Sequence, residues 1–429
     1  MKKIVTLLLI TCLIAGMFGA TAFAQEEKVT IRVLTRYTGT DATTPVFQEM
    51  IRTFMEKNPN ITIQDDSVNE EAAYNNKLMT AIATGDIPNI FYLPGLMSGV
   101  EYAKNGVIMD VSELMEDKAW YDGFNQGSFE PWNFTPFGVD GYFGVPFSLG
   151  VEVFFYNKEL FTKAGIEKTP ETLAEFYEDV EKLKAIGVSP MAIGAKETWR
   201  AGHVLNWLFF KNVGIDKAKA IGARTAKWTD SDVVETLKLY MDLKDRGTFP
   251  VNYEGVSYDE EKNMFFSEQA AMVLNGSWFV GDCVASTIAD KIGVFALPYI
   301  EGKEQFKGDS IIYPQGFCLS GKATGAERDA QILFIKYMTN FDMQSKMVET
   351  VQRMSARSDI DFTQIALSPI FTEVDRISRS ISNSGGDTFD FDPLQSMCDR
   401  TRNSLVGMSL GMSPEEAAEE IQSEIDKNS

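Results

Sequence analysis

From Val29 onward the sequence switches repeatedly between two hydrophobic periods, and this limits the available folds more than any other feature. Val29–Thr35 is a β-branched run of period two and predicts a strand. Thr44-Pro45 then opens a helix with a hydroxyl cap and a proline in the first turn; its apolar face is Val46, Phe47, Met50, Ile51 and Phe54. Asn58-Pro59-Asn60 stops that helix, and Ile61–Ile63 returns as a strand. A second helix is expected over Glu71 to Ala83, and Gly85-Asp86-Ile87-Pro88 turns into a strand at Asn89–Leu93. Further helices are predicted from a Thr169-Pro170-Glu171 cap to Gly187, from Ser231 to Arg246, and from Gly325 to Asn340. Strands are expected at Met191–Gly194, at Ala271–Leu274 and at Gly316–Ser320. Ser413-Pro414-Glu415-Glu416 reads as a capping box that starts the last helix. Repeated strand–helix units predict an α/β protein with largely parallel sheets covered on both faces. Ligands of such open sheets sit beyond the carboxyl ends of the strands.

Length and charge narrow the function. At 429 residues the chain exceeds a single typical core, so two domains are expected. A formal net charge of −21 argues against nucleic acid and anionic membrane surfaces, which need clustered Lys and Arg. The N-terminus reads as an export signal: Lys2-Lys3, an apolar stretch from Ile4 to Met17, and Ala22-Phe23-Ala24 before a cut. Residues 1–24 are therefore expected to be removed. Thr11 precedes Cys12 where a lipid-modified protein wants a smaller residue, so a soluble exported protein is expected. Cys283, Cys318 and Cys398 are far apart and form no CxxC pair; one disulfide stays open as an alternative to buried thiols.

Most catalytic motifs are missing. A single histidine, His203, removes most His-dependent nucleophile schemes and His-rich zinc sites. Gly316 to Gly321-Lys322 has phosphate-loop spacing, but Ala323 stands where the Mg²⁺-binding hydroxyl belongs. Asp387, Asp390 and Asp392 lie in 382-SNSGGDTFDFD-392 without the glutamate that a calcium loop needs at its twelfth position, so a solvated acidic loop is expected. No cofactor is expected. Carboxylates are too numerous for paired glycosidase acids to be excluded by counting.

Several blocks resemble one family. 140-DGYFGVPFSLGVEVFFYNKELFTKAGI-166 carries Gly141, Tyr142, Gly144-Val145-Pro146, Tyr156-Asn157-Lys158 and Ala164-Gly165 in order. 77-KLMTAIATGDIPNIFYL-93 gives a helix, Gly-Asp-x-Pro and a strand, with Asn89 in place of an aspartate. 268-EQAAMVLNGSWFVG-281, 292-IGVFALPYIEGK-303, 315-QGFCLSGKATGAERDAQILFIKYMT-339 and the segment from Gly411 follow. Together they resemble the carbohydrate-type family 1 extracellular solute-binding proteins of ABC importers, from Val29 to Asp426. The resemblance implies a two-lobe, type II periplasmic-binding-protein-like fold with a ligand cleft between lobes. Lobe one would be residues 29–148 plus 302–352, and lobe two 149–301 plus 353–429, with hinge crossings near Leu149 and Ile300. It implies a periplasmic, non-enzymatic monomer that captures a sugar or oligosaccharide by hinge closure and delivers it to an ABC permease. The alternatives are a secreted carbohydrate-active hydrolase, or the same fold holding a polyamine, a metal–anion complex or a phosphate ester.

A sugar needs a flat aromatic against its C–H face and fixed polar groups at its rim. The resemblance implicates Trp278 for the face, with Gly276 allowing close backbone approach. After the Met191–Gly194 strand, Trp199 is expected to stack, Arg200 to donate a planar fork and Glu197 to accept from hydroxyls. Trp207 fits helical spacing with Val204, Leu208 and Phe210 and reads as core. Lobe one is expected to supply Tyr37 and Asp41 after the first strand, Asn69 and Glu70 after the second, and Tyr92 at the end of the third. Arg353 joins them at the return to lobe two.

Overall fold

The structure is a computed structural model that describes residues 28–93, 97–394 and 396–428. The export signal, its cut after Ala24 and Cys12 lie outside the described residues.

Among the described residues nine strands run β1 (Val29–Leu34), β2 (Ile61–Asp65), β3 (Ile90–Tyr92), β4 (Val145–Asn157), β5 (Ser189–Ala192), β6 (Ala270–Gly276), β7 (Ile292–Phe295), β8 (Asp309–Leu319) and β9 (Asn383–Gly385). Their order is β2-β1-β3-β8-β4-β6-β5, with β7 also on β4 and β9 on β8. The strand–helix units give the expected parallel pairs, β1 with β2 and β3, and β5 with β6. The sheet is nevertheless mixed, because β3–β8, β4–β8, β4–β6 and β4–β7 are antiparallel. All four involve the two long strands, β4 and β8.

Those strands join two α/β halves. The first half of β4 pairs with β8, from Val145 opposite Phe317 to Val151 opposite Ile312, with a register shift between Pro146 and Ser148. The second half pairs with β6 and β7. Burial follows the same division. Val145, Phe147, Phe317 and Leu319 pack with Phe47, Phe54 and Phe334 on one face of the first half. Tyr74, Phe91, Trp132 and Cys318 cover the opposite face. In the other half, alternate residues of one strand feed two cores: Phe154 and Leu274 meet Phe176 and Trp207, while Phe155 and Val273 meet Phe279 and Phe371. This is the period-two alternation of a sheet buried on both sides. Trp207 is fully buried, as its spacing predicted. A third stretch of chain crosses beside β4: Leu149 N–H donates to Met354 C=O at 2.9 Å, and Ser148 bridges Ser355.

Three local expectations change. The helix expected from Thr169-Pro170-Glu171 starts at Leu173, and its capping box is Thr172 with Glu175. Thr43, not Thr44, precedes the helix Thr44–Lys57, and its hydroxyl accepts from Arg353 rather than from the helix. The 382–392 segment is not a solvated loop: β9 pairs with β8, Phe389 and Asp392 are buried, and Asp392 takes a two-point contact from Arg224 at 2.6 and 2.9 Å. Gly316 to Lys322 is the corner where β8 ends, and Lys322 Nζ donates to Asn105 C=O. Cys283, Cys318 and Cys398 are free thiols.

Candidate functional site

Between the halves lies a cavity of about 160 Å³, reached by groups from both. The first half contributes from the carboxyl ends of its parallel strands: Tyr37 beyond β1, Asn69 and Glu71 beyond β2, Tyr92 and Leu93 at the end of β3. The other half contributes Trp199 and His203 from the helix Trp199–Asn212, Tyr258 and Lys262 from the helix Tyr258–Phe266, and Trp278 and Asp282 from beyond β6. Tyr313, Gln315 and Arg353 lie where the two halves join.

One wall is aromatic. Rings of Tyr258 and Trp199 lie 4.9 Å apart, Trp199 and Trp278 6.4 Å, and Trp278 and Tyr313 6.0 Å, in edge-on or tilted contacts. Trp278 is half-buried, and an added Cβ at Gly276 would fall 2.1 Å from its ring. The glycine expected to admit a ligand therefore admits the indole, and Gly276 itself does not line the cavity.

Behind this wall sits a buried ion pair. Arg200 and Glu261 are 1% and 0% exposed. The guanidinium donates to Glu261 at 2.7 to 3.1 Å and to Leu274 C=O, and its central carbon lies 4.6 Å from the centre of the Trp199 ring. Gly194 N–H donates to the same carboxylate at 2.7 Å. Burial works against the Arg200 charge, but Glu261 overcomes it and the guanidinium pKa is raised. The expectation of a ligand-facing Arg200 is thus corrected: its fork supports Trp199 from beneath.

Glu197 and Glu70 each have protein partners and stand apart from the aromatic wall. Glu197 accepts from Tyr258 N–H at 2.8 Å, and Glu70 caps its helix through Ala72 and Ala73 N–H. Both border an adjoining cavity of about 510 Å³ rather than the aromatic one. Glu71, Leu93, Asp390 and Arg402 line both cavities.

The other expected residues meet in the aromatic cavity. Tyr37 lies against Phe47, Phe147 and Phe317, and Arg353 covers its ring at 4.9 Å. Arg353 also donates to Ser148, Thr43 and Gln315, tying β4, β8 and the first helix together. Asn69 donates to Thr40, and Asp41 accepts from Thr43 N–H. Burial pushes the Tyr92 phenol up to about 12.

The acidic groups on the far side escaped the sequence reading. Asp387 and Asp390 belong to the segment expected to be solvated, and only pairing of β9 with β8 turns them inward. Burial, then Asp387, pushes Asp390 to about 8. Arg402 reaches Asp387 at 3.4 Å and Glu71, across the cleft, at 4.0 Å. Burial pushes Asp282 to about 6; Lys262 opposes and Asp41 reinforces this. Tyr258 and Lys262 had a weak signal, an i,i+4 pair after the Ser257–Glu260 capping box. Among the described residues no group of three or more His, Cys, Asp or Glu could hold a metal ion.

Comparison with known proteins agrees with this geometry. The sequence profile of the bacterial extracellular solute-binding protein family matches residues 40–344. The "Multiple sugar-binding protein" of Streptococcus mutans is 27% identical over 351 residues, covering 80% of this chain and 76% of that protein. The "sn-glycerol-3-phosphate-binding periplasmic protein UgpB" of Brucella abortus is 28% identical over 320 residues, covering 70% and 68%. Among solved structures, a "Chitin oligosaccharide binding protein" superposes with a TM-score of 0.84 at 26% identity, over 93% of this chain and 98% of that one. With two α/β halves joined by crossing strands around an aromatic cavity, the chain belongs to the bacterial extracellular solute-binding protein family.

Proposed function

We propose that this protein captures a saccharide between its lobes, closes on it by hinge motion and hands it unchanged to an ABC permease. The aromatic wall from Tyr258 through Trp199 and Trp278 to Tyr313 carries this reading. Flat rings favour the C–H face of a sugar, and the opposite side offers amide and carboxyl groups to its hydroxyls. The adjoining 510 Å³ cavity gives room for further sugar units.

A relative is named for a phosphate ester, yet charge favours a neutral ligand here. Six carboxyl side chains and four cationic ones line the aromatic cavity, and Arg353, Lys262 and Arg402 are already engaged with protein groups. A hydrolase needs a free general acid beside a second carboxylate. The family consists of binding proteins, and the alternative is tested by looking for released reducing ends.

We divide the lobes as residues 29–148 with 315–352, and 149–312 with 353–429, which moves the boundary expected at 301/302, near Ile300, into β8, because Ile311 packs with Phe154 and Trp207 of the second half. The β4 pairing favours the first crossing at Leu149, and the β8 pairing favours a second one between Ile312 and Gln315. Export with cleavage after Ala24, and a periplasmic monomer without nucleic-acid contacts, complete the proposal. The decisive experiment is a thermal-shift screen across neutral saccharides, polyamines and phosphate esters. A ligand at 100 times its dissociation constant stabilises by about 2.7 kcal/mol. Stabilisation by phosphate esters and not by any sugar overturns the reading.

A further inference from the structure

We propose that His203 is a fixed hydrogen-bond donor of the binding site: its Nε2–H is offered to an oxygen of the bound saccharide, and Arg200 and Glu152 act as positioning residues that hold it in that tautomer. The inference rests on the saccharide reading for its ligand but not for its tautomer.

His203 lies one helical turn after Trp199, and residues four apart share a helix face. Its ring is 4.8 Å from Trp199 and 5.7 Å from Trp278, within the aromatic wall, and it lines the cavity. A sugar stacked on those indoles brings its rim oxygens to the imidazole edge.

The tautomer follows from the partners of the other nitrogen. Arg200 Nη1 lies 3.1 Å from His203 Nδ1 in hydrogen-bonding geometry. A guanidinium has only donors, so Nδ1 must accept. Glu152, opposite Gly276 in the sheet and 0% exposed, places Oε1 2.8 Å from the same Nδ1. Neither Glu152 oxygen has a hydrogen-bond partner among the described residues. An ionised oxygen there would set its charge against that lone pair, whereas a protonated carboxyl removes the charge. Burial, reinforced by Asp387 and opposed by Arg200, pushes the Glu152 carboxyl well above the usual carboxylate range. Burial, then Arg200 and Arg402, holds the imidazole well below its usual value. Burial, Arg200 on the same helix and Arg402 thus favour a neutral ring, and the Arg200 donor to Nδ1 leaves its proton on Nε2. Among the described residues Nε2 has no protein hydrogen-bond partner, which leaves that proton for the ligand.

As the single histidine in the sequence, His203 gives one imidazole signal pair in a long-range ¹H–¹⁵N correlation spectrum of ¹⁵N-labelled protein. The expected spectrum is the neutral Nε2–H tautomer, unchanged from pH 5 to pH 8. Chitobiose, xylobiose and maltose are then added in turn, and the one that binds is expected to shift Nε2 and its proton. His203→Met should weaken that ligand at least tenfold, and His203→Gln, whose amide nitrogen replaces Nε2, should recover most of the loss. An Nδ1–H or doubly protonated ring in the free protein overturns the inference whatever the ligand. So does a bound sugar that leaves Nε2 unmoved, the result expected if that N–H only faces an indole. Should none of the three sugars bind, the saccharide reading weakens, and the free-protein tautomer still decides the positioning roles.

Discussion

The two walls of the cleft are built by different physics. On the side of β1 to β3, polar groups are fixed by short-range contacts at strand ends: Asn69 to Thr40, Asp41 to Thr43 N–H, and Arg36 Nε to Asn69 C=O at 3.0 Å. On the side of β5 and β6, ring, guanidinium and carboxylate are stacked in depth. Trp199 rests on Arg200, Arg200 on Glu261, and Glu261 on the Gly194 N–H. A site that must recognise a ligand before closing gains from one preorganised wall, because binding then orders fewer groups. The aromatic plates stand on the deeply braced side, and the strand-end groups of the other half face them across the cleft.

This contrast can be broken at several depths. The largest effect is expected at the base of the braced wall: Glu261→Ala strands Arg200 without its carboxylate, and removing one partner of a buried pair costs about 3–5 kcal/mol. Chemical denaturation of that variant against the parent measures it, and a loss under 1 kcal/mol would refute the brace. One layer up, Trp278→Ala should leave the fold intact by circular dichroism and weaken sugar binding at least tenfold, about 1.4 kcal/mol or more. Calorimetric affinity equal to the parent's would remove the plate from the site.

A smaller, pH-dependent effect is expected at Asp282. Its carboxyl titrates near 6 in the folded protein against an ordinary value of 3.8. The folded state therefore binds the extra proton between those values, and stability falls as pH rises through that window, with the full penalty present above about 6. Asp282→Asn should abolish this slope and gain on the order of 1 kcal/mol at pH 7, less what is lost with Lys262. Melting curves of both proteins at pH 4, 5, 6 and 7 test the sign; a parent that grows relatively more stable toward pH 7 contradicts it. The smallest change is expected on the strand-end wall. Asn69→Ala should lower affinity about threefold, since one neutral hydrogen bond to the ligand is lost, and should shift the melting temperature little, since its bond to Thr40 is exposed. A loss as large as that of Trp278→Ala would erase the distinction between the walls.

The sequence made one wall far more legible than the other. Tyr37, Asn69 and Tyr92 could be placed because each stands at or beyond the carboxyl end of a strand predicted from its own residues, where open sheets put ligands. Trp278 came from family resemblance. The brace was misread at Arg200 because no local pattern links it to Glu261, which lies 61 residues later on a different helix. Strand β8 was seen only from Gly316 on. Its first half begins with Asp309-Ser310, and Pro314 interrupts it, so it lacks a continuous apolar run. Without that half, β9 had no partner, and the acidic segment after it read as solvated. Elements defined by local periodicity were therefore visible, and those created by pairing across the join were not.

The join has a mechanical consequence. β4 and β8 continue through it as paired extended backbone, with the 353–355 stretch hydrogen-bonded alongside and Arg353 bolting the strands together. Such a connection works as a leaf spring rather than a tether. It can bend and twist about the shared backbone, but it resists sliding, so opening should follow one narrow arc with a small change in radius of gyration. A solute would then be admitted by a flexing spine that returns the same two faces to the same alignment on every cycle.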